Sequence, residues 1–339
     1  MIREYALEPA LLSNWKDLRY FAEKFSVPQG RLISEFPSHW KRLVYDACSQ
    51  CDDVEKMRIT EMMSTMGNRL MRRARAYDDK MSWVQNACDS HSKLRFHAIL
   101  ACAAIAGQPD VLVGDTVNDH QALWKEKRSM TIPRDPAAMA DAAAPLLQIS
   151  REVVFIDPNF KPSDINDRLP LEKFLEKLAR CGGTTLTRLE YHVGDGQGAW
   201  KKSVAFADFE RGCQQYLGRC VPVGFQLSFV RWKHTCLHNR FILTDRGLMQ
   251  FGTGLDKATS TSTQDDQLTL LDEDDRLGLW KKHVTRACPT MVLADDPGQV
   301  VISGQRIVRA LHPQTKYLSG GSNTTAQAYP GRDGVPLGR

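Results

Sequence analysis

The chain has 339 residues, 42% hydrophobic, 25% charged and 8% aromatic, which excludes a collagenous, coiled-coil or wholly disordered polypeptide and suffices for one large domain or two of ordinary size. A formal net charge of +5 is mildly basic and permits a nucleic-acid partner without requiring one. Nine cysteines scattered singly exclude a disulfide scaffold and point to reduced thiols. The longest near-apolar run, Phe96 to Gly107, is too short to cross a bilayer, and the first dozen residues carry acids where a signal peptide needs a basic flank. A cytoplasmic protein with no membrane partner is the expectation.

Residues 1–130 read as a mainly helical accessory domain, a possible docking site for partner proteins, on amphipathic patterns such as Leu18, Phe21, Phe25 and Leu43, Val44, Ala47. Arg69, Arg72, Arg73 and Arg75 form a short basic cluster, and Gly107 to Gly114 reads as a connector. After Pro133 the texture changes. Asp135-Pro136 is a helix start, because the Asp side chain caps free N–H groups and Pro has no N–H to lose at the first position, so Ala137 to Ser150 should be helical. Glu152 to Asp157 is an apolar strand closed by Pro158. Helical spacing returns from Pro170 to Leu178 and stops at Gly182-Gly183. Strand composition over Thr184 to His192, helix over Trp200 to Leu217 and strand over Phe225 to Val230 complete an α/β alternation. A domain over 135–290 follows, then an extension over 291–317 and a flexible tail over 318–339.

Several polar groups are read as ordinary. Cys48, Cys51, Cys88 and His91 have the count of a zinc site, but the 36-residue spacer within helical sequence favours buried thiols. Asp272 to Asp275 suits a helix N-terminus. His39, His120, His283 and His312 have no partners at useful spacing. No phosphate-binding glycine loop is present. Neither a metal nor a cofactor is expected.

The most informative stretch runs from Leu237 to Asp256. Alternation in an extended strand puts His238, Arg240 and Ile242 on one face, with Leu237, Phe241 and Leu243 on the other. Asp245-Arg246-Gly247 is turn chemistry, and Leu248 to Phe251 can return as the next strand, ending at Gly252-Thr253. That hairpin brings an imidazole, a guanidinium, a hydroxyl and glycine backbone together, a cradle suited to a phosphodiester.

His238, Asp245 and Gly252 resemble the spacing of the phospholipase D superfamily motif, HxK, four residues, Asp, six residues, then GSxxN. Thr253 stands for the Ser, Arg240 for the Lys and Asp256 for the Asn. The strand ending at Asp157-Pro158 and the segment from Asp265 to Leu271 resemble the family's frame, so the likeness spans about 135–290. It implies a layered mixed sheet flanked by helices. It also implies a phosphohistidine mechanism, with His238 as nucleophile, Arg240 and Thr253 on phosphate oxygens, and Asp265 or Asp266 orienting the imidazole. Asp245 belongs to the motif but is expected to fix the hairpin. Gly252, Asp256, Arg231, Lys233 and Arg246 complete the expected substrate-binding set.

The family chemistry uses two histidines, and this chain has one motif: His97 is followed by Ile99 and His192 by Gly194 where a basic residue is needed. The arrangement resembles single-motif bacterial endonucleases, which implies a homodimer, and the company such nucleases keep suggests defence against foreign DNA. Between residues 201 and 250 eight basic residues face three acids, which favours nucleic acid, DNA before RNA, over a zwitterionic lipid head. Trp200 and Trp232 are placed to stack bases. Two other readings stay open: a catalytically decayed nucleic-acid-binding or assembly module, and a lipid phosphodiesterase.

Overall fold

Short, fully apolar strands set the architecture of both halves. The computed structural model describes residues 1–125, 127–180, 186–196, 204–259, 264–287, 293 and 299–306. In the first half β1 (Arg3–Leu7), β2 (Arg31–Ser34), β3 (Leu70–Met71), β4 (Ala98–Ala101) and β5 (Val111–Val113) form an all-parallel sheet of order β3-β2-β1-β4-β5. Helices α1 (Trp15–Lys24), α2 (Trp40–Ala47), α3 (Asp53–Thr65) and α4 (Trp83–Lys93) connect them. The helices expected from periodicity are present, but a mainly helical domain is not what they build. The sheet escaped notice because its strands are two to five residues long and covered on both faces, so they show no alternation, and the run Ala98–Ala101 reads equally as helix. Gly107 to Gly114 likewise contains β5. The basic cluster is structural: Arg73 and Arg75 pair with Glu4 of β1 at 2.9 and 3.2 Å, and Arg72 with Glu35 at 2.5 Å.

The second sheet has eight strands: β6 (Ser129–Pro133), β7 (Glu152–Ile156), β8 (Arg188–Gly194), β9 (Gln226–Trp232), β10 (Arg240–Thr244), β11 (Leu248–Phe251), β12 (Asp265–Leu270) and β13 (Val300–Ser303). Their order is β13-β9-β8-β7-β10-β11-β12-β6, with β7, β8 and β9 parallel and the rest antiparallel to their neighbours. Four more helices pack here: α5 (Pro136–Ile149), α6 (Ile165–Ala179), α7 (Phe206–Tyr216) and α8 (Glu273–His283). This is the mixed α/β sheet the sequence predicts, and β13 draws the stretch after residue 290 into it. Asp135 caps α5 as expected, its carboxylate accepting N–H bonds from Ala137 and Ala138. Helix α6 begins five residues before Pro170, capped by Asp164. Gly182-Gly183, Trp200, Lys201, Lys202 and the tail from 318 lie outside the described residues.

Both sheet faces are buried. Val153, Phe155, Tyr191, Phe229, Ile242 and Phe251 pack with Met139 and Leu146 of α5 and Phe174 of α6. Val154, Ile156, Val230, Trp232, Phe241 and Leu243 form the opposite core beneath α8. The alternation across β10 is therefore as expected, with apolar cover on either side. Both sheets belong to one unit, Met1–Val308, and no helix of the described residues is long and apolar enough to cross a membrane.

Candidate active site

Strand directions decide what meets. In β10 Arg240 pairs with Phe251, the last residue of β11, and Phe241 pairs with Ile156, the last residue of β7. Asp265 at the start of β12 lies opposite Pro133 at the end of β6. One rim of the sheet, beyond the carboxyl ends of β7, β8 and β9, thus carries Arg134, Asp157, Arg240, Gly252, Thr253, Asp265 and Asp266. The crevice outside such strand ends is where open α/β sheets place ligands.

Arg240 shares the face of Ile242 and points toward α6. There a cavity of about 270 Å³ is lined by Arg134, Arg240, Thr253 and Asp256, by Asp157 and Asn159 after β7, and by Lys161, Asp164 and Asp167 at the start of α6. Asp157 is only 3% exposed. Its Oδ1 accepts the Asn159 N–H at 2.9 Å and lies 3.8 Å from Arg240 Nε, while Oδ2 accepts the Leu255 N–H at 3.0 Å. Burial outweighs these donors and raises the Asp157 carboxyl above its ordinary range. Burial also pushes Asp167 up to about 7; the Lys161 N–H at 2.9 Å opposes the shift, and the charges of Asp157, Asp164 and Asp256 reinforce it.

The loop after β11 is held from below. Asp266, 3% exposed, accepts N–H bonds from Thr253 at 2.9 Å and Gln267 at 2.8 Å through one oxygen. A Cβ on Gly252 would stand 3.0 Å from that oxygen, so that the carboxylate would have to give way by a few tenths of an ångström. Asp256 forms a 2.8 Å ion pair with Arg134, and a Cβ on Gly254 would collide with the same carboxylate. Asp256 thus neutralises a buried arginine of the chain itself.

The predicted site residues divide sharply. Arg240, Thr253 and Asp256 line one cavity, whereas the Gly252 N–H is donated to the Gln267 carbonyl at 3.1 Å and Gly252 does not line it. His238 stands two residues before β10 rather than on it, exposed, its carbonyl oxygen accepting a 3.2 Å bond from Arg240 Nη1. It borders the cavity mouth in sequence but does not line it. No hydrogen bond joins the imidazole to Asp265 or Asp266 among the described residues; Asp266 spends its charge on backbone N–H groups, and Asp265 is exposed.

Asp245 and Arg246 sit at the far end of β10. Asp245 Oδ1 accepts the N–H groups of Arg151 and Glu152 at 2.9 and 3.1 Å, tying the hairpin to β7, and its other oxygen meets Arg246 at 3.1 Å. Arg231 is buried, donating to the carbonyls of Val204 at 2.7 Å and Asp195 at 3.3 Å with its face 5.2 Å from the Phe209 ring, so it has no hand free for substrate. Trp232 is core, its indole N–H donated to His192 at 3.0 Å, and no base can stack on it. Lys233 follows β9 at the active rim.

His192 and His283, ordinary by sequence, are buried with their Nδ1 atoms 3.2 Å apart, and His192 Nε2 meets Glu190 at 3.0 Å. The suspected zinc ligands do not assemble: Cys48 and Cys51 donate to the carbonyls of Leu12 and Ser13, and His91 pairs with Asp110. No group of three or more His, Cys, Asp or Glu suited to a metal occurs among the described residues. Sequence reasoning missed Arg134, Lys161, Asp164 and Asp167. The signal available was positional, since all four flank strand ends or the first turn of a helix.

No family model and no curated protein matches the chain. Among solved structures it is similar to Nuc from Salmonella typhimurium, a phospholipase D family member, at 8% identity and a TM-score of 0.31, over 50% of this chain and 98% of that one. It is also similar to TrmBL2, an archaeal chromatin protein, at 6% identity and 0.26, over 50% of this chain and 55% of that one. A third is a polyphosphate kinase from Porphyromonas gingivalis, at 11% identity and 0.26, over 86% of this chain and 47% of that one. At such identities and scores none of the three assigns the chain a family.

Proposed function

We propose that the protein is a metal-independent phosphodiesterase acting on nucleic acid, with His238 as nucleophile and Arg240 and Thr253 holding the phosphate oxygens. The carrying observation is the convergence of Arg240 and Thr253 on one cavity at the sheet rim, with His238 exposed two residues away and tied to Arg240 through its carbonyl. A guanidinium beside a hydroxyl suits a phosphate. The excess of basic over acidic residues between 201 and 250 favours a polyanion over a zwitterionic lipid head.

The leaving oxygen of a diester needs a proton. The exposed position of His238 allows the same histidine of a second copy to face it across a twofold axis; a group within the chain is the other source. The test is cleavage of plasmid DNA and of RNA in EDTA by the full chain. His238→Ala should abolish it, and strict dependence on an added divalent metal would overturn the phosphohistidine route.

One observation favours a second reading, a binding module that retains the fold without cutting. Among the described residues no carboxylate is hydrogen-bonded to the His238 ring. Salt-sensitive DNA binding that survives His238→Ala, with no turnover of any diester, is its signature.

A further inference from the structure

We propose that Asp167, in the first turn of α6, is the proton donor to the leaving oxygen, so that one chain carries both nucleophile and acid. The inference rests on the phosphodiesterase reading and concerns the step that the single histidine motif leaves unprovided.

Four carboxylates line the cavity, and each is held differently. Both Asp157 oxygens accept backbone N–H groups. Asp164 caps α6 through the N–H and the side-chain amide of Asn166. Asp256 is paired with Arg134. Asp167 engages only the Lys161 N–H, through Oδ2, and its other oxygen has no hydrogen-bond partner among the described residues. Asp167 also lines the same cavity as the phosphate-holding pair, Arg240 and Thr253.

The surroundings shift its carboxyl toward the protonated form. Asp157 from the end of β7, Asp256 from the loop after β11 and Asp164 from the helix cap disfavour its charge. Facing it as cations are Lys161, Arg134 at the end of β6 and Arg240 at the start of β10. Burial outweighs the Lys161 N–H and lifts the carboxyl to about 7, where a general acid works best.

The bookkeeping of atoms is simple. A ring nitrogen of His238 forms a P–N bond while the P–O bond to the departing nucleoside breaks, its electron pair going to that oxygen. The oxygen takes the Asp167 proton and leaves as an alcohol. Water then attacks phosphorus, gives its proton to the Asp167 carboxylate, and the P–N bond breaks to restore the imidazole. The sum is diester plus water to monoester plus alcohol.

The experiment compares two substrates whose leaving groups differ in their need for a proton. A DNA oligonucleotide expels an alkoxide, whereas bis(4-nitrophenyl) phosphate expels a stable phenolate. Asp167→Asn should slow DNA cleavage about 100-fold or more and change aryl diester hydrolysis by less than about threefold. The wild-type DNA rate should fall above pH 7, and the Asn variant should lack that fall. Asp167→Glu, which keeps an acid, should recover part of the DNA rate, and thermal melts of each variant guard against unfolding. Equal losses on both substrates, or an Asn variant as fast as wild type on DNA, would overturn the inference while leaving a phosphodiesterase, the second outcome pointing to a partner histidine as donor. Wild-type protein that cleaves neither substrate defeats the phosphodiesterase reading itself, and the inference with it.

Discussion

The Arg134 guanidinium lies 2.8 Å from the Asp256 carboxylate, joining the end of β6 to the loop after β11 across the mouth of the cavity. The arginine side chain is 5% exposed and the aspartate 35%, so removing the acid strands a buried cation while removing only a partly solvated anion. Asp256→Asn, which restores the residue usual in the resembling motif, should therefore destabilise the fold by about 1 to 3 kcal/mol, below the range for a wholly buried pair. Urea denaturation of the two proteins measures it.

Asp245 gives the complementary case, a motif residue at the end of β10 remote from Arg240. Its carboxylate satisfies two N–H groups at the start of β7. Asp245→Ala should cost about 1 to 3 kcal/mol of stability by the same denaturation. Per folded molecule, DNA cleavage at low temperature should stay within about threefold of wild type, because the residue stands a strand length from Arg240.

His283 is held neutral. Burial first, then His192 and Lys282, depress it from 6.5 to about 3, and burial depresses His192 despite Glu190. The unfolded chain binds these protons more readily, so this stability is fully present above about 6.5 and is lost as pH falls toward 3. His283→Gln keeps a donor for His192 Nδ1 and removes one titration. Its acid unfolding midpoint, followed by tryptophan fluorescence, should lie at lower pH than that of wild type.

Asp167 has the opposite slope. The native state keeps its proton up to about 7 while the unfolded chain releases it near the ordinary carboxylate value, so stability falls as pH rises between roughly 4 and 7. Asp167→Asn removes that loss. Relative to wild type, the variant should gain stability on going from pH 4 to pH 8, by no more than about 4 kcal/mol for three units of displacement. Thermal melts at the two pH values give the difference directly.

How much of this was legible depended on whether a residue's role is local. The Asp135 cap, strand β7 and the hairpin from Arg240 to Phe251 follow from neighbours within a few positions, and each is present. Arg231 was misread because a strand arginine tied to the carbonyls of Asp195 and Val204 has the same sequence signature as one awaiting a phosphate. Asp167 was invisible for a related reason. Its character comes first from burial and then from the charges of Asp157, Asp164 and Asp256, the last on a loop nearly ninety residues later, and only the folded sheet brings these together. The first sheet was hidden by brevity, since Leu70–Met71 and Val111–Val113 are too short to show any period.

The pairing of β6 with β12 bears on the order in which the chain can be built. Ser129–Pro133 has its partner at Asp265–Leu270, whereas the last strand of the first sheet ends at Val113. As the polypeptide leaves the ribosome, the five parallel strands are all available while β6 still presents an open edge, and β10, β11 and β12 have yet to be translated. The rim is thus completed late in synthesis. A product cut short before Asp265 would carry the whole of the first sheet and the arginine at position 134, but neither the Asp266 carboxylate that braces Thr253 nor the strand with which β6 pairs.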